Sequence, residues 1–288
     1  MKSGYISIFG KPNAGKSTLL NALLGEKLAI VSSKVQTTRH RIKGFLSKPG
    51  EYQLVFSDTP GIIESKYKLH EKMMAAVKSA LEDADIALLI VDGREDPAEA
   101  DTIFQALRLK VPAIVVLNKA DKAKKTNELK SFFQSKSYCK EVAVISALEK
   151  TGIEELKTQI FKYIPDGEPF YPEDDLSDLS TRFFIGEMIR EKVFELLDDE
   201  IPYQTAVMVN EFKEKQTLIK IQADIIVQRD TQKSIVIGDK GSMIRKIGMA
   251  ARADIEKFIG SKIFLELFVK VRPKWRDNDL MLKEYGYF

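Results

Sequence analysis

The chain has 288 residues, 44% hydrophobic and 30% charged, with a formal net charge of +3 and one cysteine, Cys139. That length calls for two domains, and the composition is that of a folded globular chain rather than a disordered one. A lone cysteine excludes an internal disulfide and agrees with a reducing compartment, while no apolar run approaches the roughly 20 residues of a membrane span.

Met1 to Gly4 lead straight into an apolar strand, Tyr5 to Phe9, without a secretory signal, so a cytoplasmic chain is expected. Gly10-Lys11-Pro12-Asn13-Ala14-Gly15-Lys16-Ser17 follows, matching GxxxxGK[ST], and Thr18 continues an apolar-periodic helix, Gly15 to Leu24. Strand, glycine loop and helix in this order make a P-loop: the glycines let backbone N–H groups converge on an anion at a helix N-terminus. Lys16 is expected on the β and γ phosphates and Ser17 on Mg²⁺.

Further strands are predicted at Lys43 to Ser47, Gln53 to Ser57, Ile86 to Val91, Ala113 to Leu117 and Val142 to Ile145. Helices fit between them at Leu69 to Glu82, Pro97 to Leu109, Lys125 to Gln134 and Gly152 to Tyr163. Near-continuous apolar strands alternating with amphipathic helices predict an α/β domain with a doubly wound, mostly parallel sheet over residues 1–164, its ligand at the strand C-terminal ends.

The polar loop Gln36-Thr37-Thr38-Arg39-His40-Arg41 lies where a switch segment belongs. One threonine is expected to close over Mg²⁺, with Thr38 favoured over Thr37 by resemblance to the TR pair of related GTPases. His40 and His70 are expected on the switch surface. Asp58-Thr59-Pro60-Gly61 ends a strand, so Asp58 can hold Mg²⁺ while the Gly61 N–H meets the γ phosphate. Ile62 stands where Ras-type GTPases carry a water-orienting glutamine, so either hydrolysis is slow or another group or ion supplies charge and orientation. Asn13 resembles the potassium ligand of GTPases lacking that glutamine; the alternative is a turn residue. Asn118-Lys119-Ala120-Asp121 follows the next strand, where the carboxylate can accept from the two donors of guanine that adenine lacks. Ser146-Ala147-Leu148 resembles the backbone loop that contacts the guanine O6.

Three prolines between Pro165 and Pro172 exclude regular structure, and residues 165–178 are predicted as the interdomain linker. Residues 166–200 carry 12 acidic and 3 basic side chains, so Leu179 to Leu197 reads as an acidic helix that can mask a basic face. Strands at Thr205 to Lys213 and Thr217 to Val227, helices at Gln232 to Ile237 and Ser242 to Phe258, and a strand at Lys262 to Val271 complete a domain over 179–288. Residues 229–276 hold 12 basic and 5 acidic side chains, which points to a nucleic-acid or membrane surface.

Within that basic stretch, Ile237-Gly238-Asp239-Lys240-Gly241 joins two short helical patterns, and IVIGDKGSMIRKI has the pattern of a KH module. A GxxG loop lets the nucleic-acid backbone approach, and apolar neighbours such as Ile244 make a groove for about four unpaired bases. Lys240, Arg245 and Lys246 are expected on phosphates. Trp275, among Arg272, Lys274 and Arg276, either stacks on a base or packs in a core.

GKPNAGKS, QTTRHR, DTPG, NKAD, SAL and the later IGDKG together resemble the Era family of bacterial ribosome-associated GTPases over nearly the whole chain. The resemblance implies a GTPase domain followed by a type II KH domain, a GTP/GDP and Mg²⁺ site, and binding to the 3′ end of 16S rRNA in assembly of the 30S subunit. It also raises peripheral contact with the cell membrane; a monomer is expected. The alternative is a KH translational regulator in which nucleotide is mainly structural, whereas Asp121 argues against an ATP-using kinase.

Overall fold

The computed structural model describes residues 1–214 and 216–288. It divides into two compact units, Met1–Ser65 with Met73–Asp178, and Lys66–Lys72 with Leu179–Phe288.

The first unit holds a six-stranded sheet of β1 (Lys2–Gly10), β2 (Ile42–Lys48), β3 (Tyr52–Asp58), β4 (Ile86–Asp92), β5 (Ala113–Asn118) and β6 (Cys139–Val144), in the order β2-β3-β1-β4-β5-β6. All neighbours run parallel except β2, which forms an antiparallel hairpin with β3. The helices are α1 (Lys16–Leu24), α2 (Lys68–Asp83, in this unit from Met73 on), α3 (Pro97–Ala106), α4 (Thr126–Gln134) and α5 (Ile153–Phe161). Every residue of β4 and β5 is buried, as strands covered on both faces require. One core joins Leu89 and Val115 of the sheet to Val77, Phe104 and Phe133 of the helices. Polar residues gather at the strand ends: Asp58, Asp92 and Asn118 close β3, β4 and β5 while Gly10 closes β1, with Ile8 beside Asp58 and Asp92 beside Asn118 in register.

Residues 165–178 are not a loose linker. Pro165 accepts from the Ser3 N–H at 3.1 Å, and the buried Gln53 amide receives the Phe170 and Tyr171 N–H groups at 2.7 and 3.0 Å and donates to the Tyr171 carbonyl at 2.8 Å. Tyr171 stacks on Phe45 at 4.0 Å, the Phe45 N–H donates to the Leu176 carbonyl at 2.9 Å, and Lys43 pairs with Asp178 at 2.9 Å. Proline excludes regular structure there, but a buried amide on the β2–β3 hairpin satisfies the irregular backbone and binds the segment to the first unit.

In the second unit, α6 (Thr181–Leu196) precedes β7 (Ala206–Glu214) and β8 (Ile219–Val227), then α7 (Asp230–Ile237), α8 (Ser242–Ile259) and β9 (Ile263–Val271); a short α9 (Asp279–Glu284) follows, unforeseen in the sequence. The sheet order is β7-β8-β9, antiparallel then parallel, the arrangement of a type II KH domain. Ile185, Ile189 and Val193 of α6 join Ile221, Ile225, Val236, Ile247 and Ile255 in one core. Two expectations for α6 fail. It carries three acidic and three basic residues, and Glu187, Arg190, Glu191 and Lys192 are buried, with Arg190 donating to Glu187 at 2.7 Å. The acidic surplus flanks the helix, which is a core element and cannot mask a basic face.

Candidate nucleotide and nucleic-acid sites

The P-loop turns between β1 and α1 through geometry that requires its glycines. A Cβ on Gly10 would lie 2.6 Å from the Ile90 carbonyl, and one on Gly15 would lie 2.2 Å from the Asn118 Nδ2. Lys16 is buried and folds back on its own loop, donating to the Gly10 and Lys11 carbonyls at 3.1 and 2.8 Å. Burial pushes its ammonium down to about 8, with Asp58 partly offsetting the effect. Lys11 meets Glu95 and Glu99 at 2.9 and 2.7 Å, so its backbone rather than its side chain serves the loop.

Three hard oxygen donors converge at the start of α1. Ser17 Oγ donates to Asp58 Oδ2 at 2.6 Å and lies 2.7 Å from Thr38 Oγ1, which itself reaches Asp58 Oδ2 at 3.4 Å. Asp58 is fully buried, and its Oδ1 has no hydrogen-bond partner. Burial raises its carboxyl to about 6 against the charge of Lys16. Two hydroxyls and a carboxylate with a spare oxygen fit Mg²⁺. Thr37 instead donates to the Lys34 carbonyl at 2.6 Å. Thr59 Oγ1 holds the Ile8 carbonyl at 2.7 Å, Pro60 is buried, and Gly61 lies so close to Pro12 that a Cβ would meet its ring and nitrogen at 2.8 Å.

A cavity of about 340 Å³ is lined by Pro12, Asn13, Gly15 to Thr18, residues 30–33 and 36–38, Gly61, Arg94 and Lys119. Asn13 adopts φ 61° and donates from Nδ2 to the Ser33 carbonyl at 2.7 Å, joining the P-loop to the switch segment. Asp121, Ser146, Ala147 and Leu148 do not line this cavity. They are braced beside it: Asn118 Nδ2 donates to the Ala14 carbonyl at 2.9 Å, its Oδ1 accepts from the Ala147 N–H at 3.0 Å, and Ser146 Oγ donates to Asp121 Oδ1 at 2.6 Å. Lys119 Nζ reaches the Asn13 carbonyl at 2.6 Å. His70, expected on the switch surface, is buried against Tyr67 at 3.8 Å.

In the second unit, Gly238 (φ 73°) and Gly241 (φ 81°) turn the chain between α7 and α8, and a Cβ on Gly238 would strike the Met243 nitrogen at 2.7 Å. Asp239, Lys240, Arg245 and Lys246 are exposed, while Ile237 and Ile244 pack partly against the core. A groove of about 350 Å³ runs between α8 and β9, lined by Ile244, Arg245, Gly248, Met249, Arg252, Phe264, Leu265 and Leu267. Lys246 lies outside that lining. Trp275 does not stack on a ligand. It is 0% exposed, donates from Nε1 to the Gln204 carbonyl at 3.0 Å and packs against Tyr285 and Tyr287. Its hydrogen bond satisfies the indole while the ring fills the core.

A family profile described as "50S ribosome-binding GTPase" matches residues 5–119, and one described as "KH domain" matches residues 200–276. The chain is 44% identical to the GTPase Era of Geotalea uraniireducens over 99% of this chain and 98% of that protein, and 45% identical to that of Geobacter sp. strain M21 over the same shares. The chain belongs to the Era GTPase family. Its fold superposes on a variant of Aquifex aeolicus Era bound to GDP and AlF4⁻ with TM-score 0.95 and 41% identity, covering 100% of this chain and 99% of that one. It superposes equally on Era in complex with MgGDPNP and nucleotides 1506–1542 of 16S ribosomal RNA, at TM-score 0.95, 40% identity and the same coverage. The chain is accordingly a GTPase with a C-terminal KH domain.

Sequence reading missed Asp92 and Arg94. Asp92 is buried and accepts from Lys119 Nζ at 2.8 Å and from Arg94 Nη2 at 2.6 Å. Burial opposes its charge, but the hydrogen bonds from Arg94 and Lys119 win and hold the carboxyl well below the usual range. The available signal was a carboxylate ending a fully apolar strand. Of the groove lining, Ile244 and Arg245 were foreseen, while Gly248, Met249, Arg252, Phe264, Leu265 and Leu267 were missed because the meeting of α8 with β9 depends on tertiary packing.

Proposed function

We propose that the chain is a GTP-driven switch whose KH groove takes the unpaired 3′ end of 16S rRNA during assembly of the 30S subunit. The observation that carries the switch is the convergence of Ser17, Thr38 and Asp58, with the orphaned Asp58 Oδ1, at the mouth of the P-loop. Those three residues would hold Mg²⁺, which neutralises charge on the β and γ phosphates. Lys16 leaves its loop carbonyls for the phosphates, the P-loop N–H groups enclose them, and the Gly61 N–H meets the γ phosphate. Thr38 and Gly61 touch the terminal phosphoryl group only before hydrolysis, so its loss releases both loops. Guanine is held by Asp121, kept in orientation by Ser146, and by the Ala147 backbone.

Ile62 cannot orient the attacking water, and Asn13 is the residue for the missing charge. Its amide already spans from the P-loop to the Ser33 carbonyl, so its Oδ1 with switch carbonyls makes an oxygen set for potassium. GTP turnover is expected to be faster in potassium than in sodium, and Asn13→Ala should lose that difference; equal turnover in both salts would remove the ion from the mechanism.

The groove between α8 and β9 supports the RNA part, as does the Era structure solved with nucleotides 1506–1542 of 16S rRNA. Crosslinking the purified chain to fragmented total rRNA and sequencing the product tests it. Enrichment of the 16S 3′ end is expected, and an even spread over rRNA would contradict it. Cytoplasmic, monomeric action is part of the same proposal. No helix among the described residues is long and apolar enough to cross a membrane. The 12 basic side chains of residues 229–276 are what supports peripheral membrane contact, and the absence of salt-sensitive sedimentation with anionic vesicles would remove that element.

A further inference from the structure

Asp92 ends β4 in register with Asn118 and is 3% exposed. The P-loop, DTPG and NKAD motifs do not include it, yet it holds two cations that line the nucleotide cavity. Its Oδ2 accepts from Lys119 Nζ at 2.8 Å and Arg94 Nη2 at 2.6 Å; its Oδ1 accepts from Arg94 Nε at 2.8 Å and the Arg94 N–H at 3.1 Å. Lys119 continues to the Asn13 carbonyl at 2.6 Å. A clasp of carboxylate, ammonium and carbonyl thus runs from the end of β4 to the apex of the P-loop. Both loops it joins are in left-handed backbone, φ 61° at Asn13 and at Lys119, a conformation that persists in such residues only when surroundings hold it. The turn after Asp92 is fitted to the same loop: the Gly93 N–H donates to the Asn118 carbonyl at 2.8 Å, and a Cβ on Gly93 would lie 2.9 Å from that oxygen.

We propose that Asp92 is a positioning residue of the nucleotide site, acting through Lys119 to hold the P-loop apex and the guanine-reading loop at one spacing so that guanine nucleotides are retained. It touches no nucleotide itself. Charge alone predicts the opposite sign of effect. Asp92 against Lys119 and Arg94 leaves one positive charge at the cavity wall, and removing the carboxylate leaves two, which should tighten polyphosphate binding. A positioning role weakens binding instead, because an ammonium left with one carbonyl turns toward water and the clasp opens.

Resting on the assignment of the cavity to a guanine nucleotide, the test is release of fluorescent GDP and of a non-hydrolysable GTP analogue from the whole chain carrying Asp92→Asn. Both are expected to leave about tenfold faster or more, equivalent to at least ~1.4 kcal/mol, by the same factor because the clasp lies away from the γ phosphate. KM for GTP should rise by more than kcat falls. In a Lys119→Met background, Asp92→Asn should add no further acceleration. Asp92→Glu, which keeps the buried charge but moves it by one methylene, should also speed release, so the test survives if Asp92→Asn folds poorly. Tighter binding in Asp92→Asn, additive effects with Lys119→Met, or release at the original rate from Asp92→Glu would overturn the proposal. Asp121→Asn is the separate arm: failure to exchange GTP preference for xanthosine triphosphate would refute the base-site assignment and leave the clasp measurements intact.

Discussion

Lys16 and Asp58 share one buried site, and burial shifts them in opposite directions, to about 8 and about 6. Without nucleotide each charge is costly. Asp58, raised in the fold, favours the folded state when protonated, so stability falls as pH rises from about 4 through about 6. Lys16, lowered in the fold, favours the folded state when neutral, so stability falls as pH drops from above 10 through about 8. Phosphates and Mg²⁺ reverse both preferences. MgGTP affinity should therefore be greatest between about pH 6 and pH 8, falling above as Lys16 must take up a proton and below as Asp58 must release one. Titration calorimetry in buffers of different ionisation enthalpy checks this: proton uptake is expected at pH 8.5 and proton release at pH 5.5, and proton-neutral binding at both would contradict it. The meeting of Lys16 and Ser17 with Asp58 was legible because two short motifs, GKS and DTPG, follow the adjacent parallel strands β1 and β3. Asp92 was not, because the contact chain it anchors, through Lys119 to Asn13, joins the ends of three separate strands, β4, β5 and β1.

At the scale of elements, periodicity carried most of the architecture. Strands as apolar as Ile86–Asp92 admit no other environment than a doubly covered sheet, and both glycines of IGDKG sit at positive φ where the helices break. Elements whose meaning depends on a distant surface were less legible. Leu179 to Leu197 reads as acidic in sequence because neighbouring carboxylates share the window, yet α6 is balanced and buried. Trp275 stands among basic residues but is claimed by α9 and its flanking tyrosines, Tyr285 and Tyr287. That contrast gives a prediction in one experiment. Arg245→Ala, on the groove, should weaken binding of unpaired RNA and reduce the salt slope by about one with little loss of stability. Trp275→Ala should cost on the order of 3–5 kcal/mol of folding stability, read as a fall in the KH unfolding midpoint, while any RNA effect follows the unfolded fraction. Weakened RNA binding by a stably folded Trp275→Ala would return the indole to the RNA surface.

For the whole molecule, a P-loop unit whose Thr38 and Gly61 line the nucleotide cavity is joined in one chain to a KH unit with a groove between α8 and β9, and the switch we propose links the two. If GTP and RNA bind preferentially to the same state, each must raise affinity for the other by the same factor, since linkage of binding free energies is reciprocal. A coupling of 1–3 kcal/mol, typical of such systems, corresponds to about 5- to 150-fold. The domain order was legible because both motifs survive in isolation; the coupling between them is a property of states and leaves no motif. The most direct measurement is calorimetric affinity for a 3′-terminal 16S rRNA fragment with the chain nucleotide-free, GDP-bound and bound to a non-hydrolysable GTP analogue with Mg²⁺. Tightest binding with the triphosphate analogue, at least about fivefold over GDP, is expected; equal affinity in all three states would contradict the switch.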